Sequence, residues 1–380
     1  MCDEMHNDNA NTSTSNWSLE NIPVEIFLHI CSYLDARFIT HNLGLVCKRF
    51  HAILSDESVW KSRITKRWGS VYPPLPVDTE EFNWKLACVC IEDQYDIWHR
   101  KEVKMRPLIR KDIHYASVDA IHLMQSGILC ITGSRDRSLD AHKGWIWKLT
   151  SYDDTIYSCS WDTTIKSWKY SYSLHPLSMF QCKTAVVSLA CASNLLAAGT
   201  YSRVVKLFDT RVGESQVNSY KTHKRAVLAL SISDDVIISA SEDQTVAVWD
   251  HRAGKVLKQI KLYENDDENA FPMCLSFNDN LLYVGDTKGQ LHLLNPSQGQ
   301  FNIIKAYDIG HSRKLTCVKH GMGSIMTSSS DGTLRISTPT QEPQTIAIIS
   351  SKGGEFDYKN NILAIGGTDN TVEFWVPCSS

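Results

Sequence analysis

Residues 236–250 have the sequence VIISASEDQTVAVWD. Apolar and small residues alternate on both sides of a polar centre, Glu242-Asp243-Gln244. Alternation with a period of two is typical of a half-buried β-strand, and a tight polar centre between two such runs predicts a hairpin. The stretch therefore predicts two antiparallel strands joined by a turn at Asp243.

Copies of this hairpin recur along the C-terminal two thirds of the chain. Their central turn residues are Asp136, Asp162, Ser202, Asp243, Lys288, Asp331 and Asp369. From Asp162 onward the intervals between them are 40, 41, 45, 43 and 38 residues. This period, with alternating strands, is the spacing of a four-stranded propeller blade. We predict a β-propeller of about seven blades over residues 106–380.

Several copies share polar and aromatic residues at constant distances from the turn. In three copies a histidine stands twenty residues before the turn aspartate, and in two of them a tryptophan stands six residues after it. The three sets are His142, Asp162 and Trp168; His223, Asp243 and Trp249; and His311 and Asp331. A buried carboxylate must be paired, and imidazole, hydroxyl and indole groups can satisfy one another around it. Either Ser239 or Ser241 can supply the hydroxyl beside Asp243. Because catalysis needs one activated nucleophile whereas these sets recur, we interpret them as structural and predict no catalytic residue.

The first hairpin copy is shortened. Asp136 and Asp162 are 26 residues apart, and Leu139-Asp140 runs directly into Ala141-His142. We therefore expect the first blade to lack its outer strands. The chain stops at Ser380, soon after the Asp369 hairpin, so we expect the segment Leu108 to Val118 to supply the outermost strand of the last blade.

The N-terminal part has helical periodicity from Trp17 to Trp68. Leu43, Val46, Cys47, Phe50 and Leu54 follow at i, i+3, i+4, i+7 and i+11, which predicts one amphipathic helix over residues 43–54. A helix before it and another around Trp60 complete a set of three. So small a module buries little surface, so it either binds a partner or packs on the rest of the chain.

The helical segment resembles an F-box. The matching positions are Ile22, Pro23, Glu25, Ile26, Leu28, Ile30, Leu34, Leu43, Val46, Cys47, Phe50 and Trp60. The resemblance implies that these residues bind a Skp-type adaptor, which holds a cullin and a RING protein. The hairpin copies resemble WD repeats, whose His, Asp, Ser or Thr and Trp form a structural tetrad. The chain thus resembles the F-box/WD-repeat family, an α plus all-β multidomain class.

The resemblance implies a domain order and a function. We expect a disordered tail at 1–16, an F-box at 17–64, a helical connector at 65–105 and a WD-repeat propeller with a truncated first blade at 106–380. The implied function is that of a non-catalytic substrate-recognition subunit of an SCF-type ubiquitin ligase. A WD-repeat scaffold that binds the adaptor without ubiquitin transfer is the alternative. An enzyme reading has no metal cluster, phosphate loop or unique nucleophile to support it.

Client proteins are expected to bind the propeller face that carries the hairpin turns. The candidate contacts are Arg135, Trp161, Tyr201, Arg225, Glu242 and Arg313. Family members that bind phosphorylated segments share an arginine-rich face, since guanidinium groups suit phosphate. This set is aromatic and mixed, so it does not favour a phosphate-dependent client. Plain solvent-exposed surface is the alternative interpretation for each residue.

Composition excludes several other classes of function. The chain has 39 Lys plus Arg and 42 Asp plus Glu, a formal charge of -3, which provides no bulk attraction to nucleic acid or anionic membranes. No apolar run is long enough to span a bilayer. The 12 cysteines are scattered singly except for Cys88 and Cys90, so we expect reduced thiols, no metal and no cofactor. A soluble protein of the cytoplasm, the nucleus or both is expected.

Overall fold

A computed structural model describes residues 21–75, 82–136, 142–263, 269–278, 280–351 and 353–378. The tail expected at residues 1–16 lies outside the described residues. Within them the chain divides into two compact units. Residues 21–69 and 83–92 form the first, and residues 70–75, 82 and 93–378 form the second. The long helix α5 contributes to both.

The first unit is α-helical. Its helices are α1 Val24–Cys31, α2 Ala36–His41, α3 Lys48–Leu54, α4 Glu57–Trp68 and the first part of α5 Trp84–His99. The single helix predicted over residues 43–54 is wrong, because a 3-10 turn, Leu43–Leu45, precedes α3 there. The helical conformation is interrupted at Cys47, whose backbone is extended and whose Sγ accepts a hydrogen bond from the Phe50 amide. Cys47 therefore caps α3 instead of continuing a longer helix.

Aromatic side chains form the core of the first unit. The rings of Phe27 in α1 and Phe50 in α3 stack with centroids 4.2 Å apart. Trp60 in α4 is buried, and its indole N–H donates to the carbonyl of Leu54 at 2.9 Å. These contacts bury one side of each helix and leave the other side available to solvent.

After residues 70–75 and 82, the second unit contains the rest of α5, α6 Lys101–Lys104 and a series of antiparallel sheets. Six sheets have four strands and one has two. In chain order the sheets are β2 Val118–Met124 and β3 Leu129–Ser134; β4 Ile146–Tyr152, β5 Thr155–Ser160, β6 Thr164–Ser171 and β7 Ser173–Gln181; β8 Val186–Ala192, β9 Leu195–Thr200, β10 Val205–Asp209 and β11 Gln216–Tyr220; β12 Val227–Ile232, β13 Val236–Ser241, β14 Thr245–Asp250 and β15 Lys255–Lys261; β16 Pro272–Asn278, β17 Leu281–Asp286, β18 Gln290–Asn295 and β19 Asn302–Asp308; β20 Leu315–His320, β21 Ile325–Ser329, β22 Thr333–Ser337 and β23 Thr345–Ser350; β24 Gly353–Lys359, β25 Ile362–Gly367 and β26 Val372–Pro377, joined by β1 Met105–Arg110.

The sheets are arranged as the blades of a β-propeller. The first strand of each sheet lies against the first strand of the next, and β24 returns to β2, which closes the ring. The expectation of about seven blades is corrected to six complete ones. The first repeat supplies only the pair β2 and β3, because the chain there is too short for two further strands. This pair shares a hydrophobic cluster with each neighbour, one that contains Ile131 and Ile146 and another that contains Val118 and Val372.

The last blade is completed by a strand from before the first repeat, as expected. Strand β1 pairs antiparallel with β26, with Met105 opposite Pro377 and Arg110 opposite Val372. The strand starts three residues earlier than the predicted segment Leu108 to Val118 and ends at Arg110. Pairing between distant parts of the chain protects what would otherwise be an open sheet edge.

The shortened first blade is expected to cost stability. Within the described residues, β3 has no strand on its outer side, and such an edge offers unpaired backbone groups to solvent or to another chain. Inserting about fifteen residues between Asp136 and His142, enough for two short strands, should raise the melting temperature and reduce aggregation. Equal melting temperatures and equal solubility of the two proteins would contradict this prediction.

Candidate functional site

Several large apolar side chains are exposed on residues 24–46 of the first unit. We call them together the helical face, and they are Val24, Ile26, Ile30, Tyr33, Phe38, Leu45 and Val46. Ile26 and Ile30 lie one turn apart on α1 and are 51% and 42% exposed. Single exposed apolar residues are normal on protein surfaces, whereas several within so small a unit mark an interaction surface.

The structure separates the predicted adaptor-binding residues by burial. Exposed are Pro23, Glu25, Ile26, Ile30 and Val46; half-buried are Ile22, Leu28, Leu34, Leu43 and Cys47; buried are Phe50 and Trp60. Phe50 and Trp60 are therefore corrected from contact residues to core residues. The helical face also includes Val24, Tyr33, Phe38 and Leu45, which sequence reasoning did not select. Apolar residues follow one another almost without interruption along α1, so periodicity alone could not separate its exposed side from its buried side.

A buried carboxylate holds the helices of the first unit together. Glu92 of α5 is 6% exposed, and its oxygens lie 2.6 and 2.9 Å from the guanidinium nitrogens of Arg63 in α4. Glu92 also accepts from the Ala36 amide at 2.9 Å and lies 3.1 Å from Arg67. Arg63 donates further to the carbonyls of Cys31 and Leu34. Such a network aligns α1, α2, α4 and α5, and with them the helical face.

The second blade contains a complete tetrad. The Nδ1 atom of His142 lies 2.9 Å from the carboxylate of Asp162, and its Nε2 atom lies 2.8 Å from the Ser158 hydroxyl. The Trp168 indole N–H donates to the same hydroxyl at 2.9 Å. The chain of bonds joins strands β5 and β6, the turn between them and the loop that leads into the sheet, so its role is to rigidify the blade.

Similar sets lie in three other sheets. His223 contacts Asp243 at 3.3 Å and Ser239 at 2.8 Å, so Ser239 and not Ser241 supplies the hydroxyl. His311 contacts Asp331 and Thr327, each at 3.0 Å. In the two-stranded sheet, His114 contacts Asp136 at 2.9 Å and Thr132 at 2.8 Å.

His114 was missed in the sequence. It stands 22 residues before Asp136, whereas the other histidines stand 20 residues before their carboxylates. Because the spacing between histidine and aspartate is wider here, a pattern with a fixed spacing of 20 residues does not include His114. The fourth complete sheet, β16 to β19, differs more, since Asp286 contacts His292 of β18 at 3.0 Å and accepts from the Tyr263 hydroxyl at 2.8 Å. A buried carboxylate is satisfied there as well, by groups from different positions.

The tetrad carboxylates are held in their charged form. Burial alone would raise the pKa of Asp162 and Asp243, but hydrogen bonds from His142 and His223 outweigh it and hold both pKa values far below the usual range. The pKa of Asp331 is likewise lowered to about 2, because hydrogen bonds, chiefly from Thr333, outweigh desolvation. Groups that recur in this state are structural anchors, and none of these three carboxylates is set apart from the others as catalysis would require.

Trp249 differs from the tetrad expected for it. Its indole nitrogen has no hydrogen-bond partner within the described residues, and its ring stacks on Tyr220 with centroids 4.3 Å apart. We expect Trp168→Phe to lower the free energy of unfolding by about 1 kcal/mol more than Trp249→Phe, because only Trp168 donates a hydrogen bond. Urea unfolding of the two variants measures this difference. Equal losses would contradict the assignment of Trp168 to the tetrad.

The hairpin turns lie on one face of the propeller, which we call the turn face. In six of the seven sheets the first amide of the turn donates to the loop that leads into the same sheet. The pairs are Arg135 with Ser117, Trp161 with Trp145, Tyr201 with Ala185, Glu242 with Ala226, Thr287 with Phe271 and Ser330 with Lys314. Each turn is thereby held beside the loop that precedes its blade, and the two together form the surface.

Three of the predicted client contacts come together in an aromatic cluster. The Trp161 ring lies 5.9 Å from the rings of Trp145 and Tyr201. The Arg135 guanidinium lies 5.0 Å from the Trp145 ring and forms an ion pair with Asp119. We call Arg135, Trp145, Trp161 and Tyr201 the turn patch. Trp145 was not among the sequence candidates, since it stands before a strand and outside the hairpin phrase.

The other three predicted client contacts lie outside the turn patch. Arg225 is exposed in the loop before β12, and Glu242 is half-buried in the following turn. Arg313 is exposed in the loop before β20, three sheets further along the chain from the turn patch. No contact joins them to the patch among those that the structure describes.

A channel of about 690 Å³ runs between the innermost strands. Two of the lining residues, His122 and Lys319, contact the buried carboxylate of Asp357. Lys319 forms an ion pair with it, Nδ1 of His122 lies 3.3 Å from it, and the Leu123 amide donates to it. These partners, Lys319 above all, overcome desolvation and lower the pKa of Asp357. The network ties three blades together around the centre of the ring.

Among residues 21–75, 82–136 and the later described ranges, no three His, Cys, Asp or Glu side chains are grouped so that they could hold a metal ion. Cys88 is buried beside Glu92, and desolvation raises the pKa of its thiol to about 12. None of the described helices combines the length and apolarity needed to cross a membrane.

Family models match both units. The F-box-like model matches residues 19–66, the WD domain G-beta repeat model matches residues 137–169, and the model of the TEP-1 C-terminal beta-propeller matches residues 223–295. A computationally designed protein, Ika8, has a similar crystal structure with a TM-score of 0.53 at 20% identity, over 70% of this chain and 98% of that one. That likeness concerns the fold alone. Together these findings define an F-box protein with WD repeats.

Proteins of similar sequence identify the family within this class. F-box/WD repeat-containing protein 9 of Bos taurus is 34% identical over 86% of this chain and 75% of its own length. Its counterpart in Homo sapiens is 32% identical over 96% and 84%. F-box/WD repeat-containing protein mec-15 of Caenorhabditis elegans is 28% identical over 97% and 98%. The chain belongs to the F-box/WD repeat-containing protein family, and among its members it is similar to protein 9.

Proposed function

We propose that this chain is a substrate-recognition subunit of an SCF-type ubiquitin ligase. In this role the first unit binds a Skp-type adaptor, which holds a cullin and a RING protein, and the propeller binds client proteins. The chain itself carries out no chemical step. It raises the concentration of a client lysine near the ubiquitin-charged enzyme by holding both in one assembly.

The helical face is the observation that carries the proposal. It lies within the segment that matches the F-box-like model, residues 19–66, and its exposed members Ile26, Ile30 and Leu45 have no role in the core of the unit. Large apolar side chains kept at a surface at the expense of solubility are typical of a permanent interface. A Skp-type adaptor is the partner that the family resemblance implies.

Affinity purification of the full chain tests the proposal. Adaptor, cullin and RING protein should be recovered together with the chain. A client should accumulate on it when the proteasome is inhibited, because its degradation then stops. Recovery of adaptor without cullin and RING protein would instead support a scaffold that takes no part in ubiquitin transfer, and recovery of none of the three would refute the proposal.

A further inference from the structure

The turn patch exposes aromatic side chains that the propeller does not need for its own packing. Trp161 is 42% exposed and Tyr201 is 59% exposed. Both follow the second strand of a blade, and Trp145 precedes the first strand of one, so none of the three lies within a strand. Exposed Trp, Tyr and Arg in contact with one another have the composition of an interface hot spot.

The loops and turns that flank the patch in blades two to four are basic. Residues 142–145, 161–163, 182–185, 201–203, 222–226 and 242–244 form this part of the turn face in blades two to four. Their cations, all exposed, are Lys143, Lys183, Arg203, Lys224 and Arg225. Apart from the tetrad residues Asp162 and Asp243, their only carboxylate is Glu242. An acidic partner is electrostatically complementary to this surface, and a basic one is repelled.

The chemistry within the patch favours carboxylates over phosphate. The Arg135 guanidinium already makes two bonds to Asp119, from Nε at 2.5 Å and from Nη2 at 3.2 Å. Asp119 thus compensates the guanidinium charge and takes two of its five N–H donors, which weakens Arg135 as a phosphate ligand. Methylated lysine is also disfavoured, because Arg135 occupies a face of Trp145 and further cations surround the patch.

We infer that the turn patch binds an acidic, unphosphorylated peptide segment through an aromatic or large aliphatic anchor residue. The anchor packs against Trp161 and Tyr201, and flanking Asp or Glu side chains face Lys143, Lys183, Lys224 and the neighbouring arginines. This inference names the class of client for the proposed substrate-recognition role and rests on that role. It also predicts that binding weakens as salt is added.

Peptide selection on the immobilised full chain tests the inference. Short random peptides displayed on phage should be enriched for sequences that combine several Asp or Glu with one aromatic or large aliphatic residue. An enriched peptide is then synthesised, labelled and titrated by fluorescence anisotropy. Trp161→Ala with Tyr201→Ala should weaken its binding about tenfold or more. Tyr172→Ala, a fully exposed tyrosine between β6 and β7, should leave the affinity unchanged.

Several outcomes would overturn the inference. These are no enrichment, enrichment of basic or uncharged peptides, equal affinity of the double variant, or tighter binding of a phosphoserine or trimethyl-lysine peptide that lacks the anchor. Adaptor recovery by the same variants separates this result from the proposed function. If the double variant loses peptide binding but still recovers the adaptor, the result tests the turn patch alone. If the wild-type chain recovers no adaptor, the proposed ligase function fails, whatever the peptide result.

Discussion

Replacing Ile26 and Ile30 together by alanine is expected to weaken adaptor binding by about a thousandfold. Truncating a buried hot-spot residue costs about 2 kcal/mol, and two such losses sum to about 4 kcal/mol. Both side chains are about half exposed in the chain alone, so their removal leaves the core of the first unit intact. Alanine also favours the helical backbone of α1. Co-purification with a Skp-type adaptor, followed by titration calorimetry, measures the effect.

The matched control removes apolar surface elsewhere. Leu177 and Met179 on β7 are exposed to a similar degree, and replacing both by alanine should leave adaptor binding at the wild-type level. If the variant at Ile26 and Ile30 still recovers the adaptor as well as the control does, the helical face is not the adaptor surface. The ligase proposal would then lose its main support.

Glu92→Ala is expected to destabilise the first unit by about 3–5 kcal/mol, since removal of one partner leaves a buried charge uncompensated. The Arg63 guanidinium is 11% exposed and would lose both of its bonds to the carboxylate. The Ala36 amide would lose its acceptor as well. Calorimetry of the full chain should show an early transition for the first unit and an unchanged transition for the propeller.

Asp96→Ala on the same helix is the control for Glu92→Ala. Asp96 is 46% exposed and pairs with Lys104 at 3.1 Å. A solvent-exposed ion pair contributes little, so this variant should lose at most about 1 kcal/mol. A Glu92→Ala variant that unfolds at the wild-type temperature would show that the buried network is not what holds the helices together.

The sequence predicts the site residues of the propeller better than those of the first unit. In the propeller, short-range spacing predicted the sets around Asp162 and Asp331, because the hairpin geometry determines which residues meet. His114 escaped because its loop is two residues longer. In the F-box segment the sequence pattern selected Phe50 and Trp60 together with true surface residues, since a family pattern preserves core and contact positions alike.

The sequence by itself determined the repeat, the strand alternation, the F-box pattern and the shortage in the first blade. These are local properties, set by side-chain period and by the distance along the chain between turns. Only the tertiary structure decided which side of α1 faces solvent, that Glu92 joins the helices of the first unit, and that Arg135, Trp145, Trp161 and Tyr201 meet on the turn face. Contacts between distant segments depend on how the blades close into a ring, and neither periodicity nor spacing encodes that arrangement.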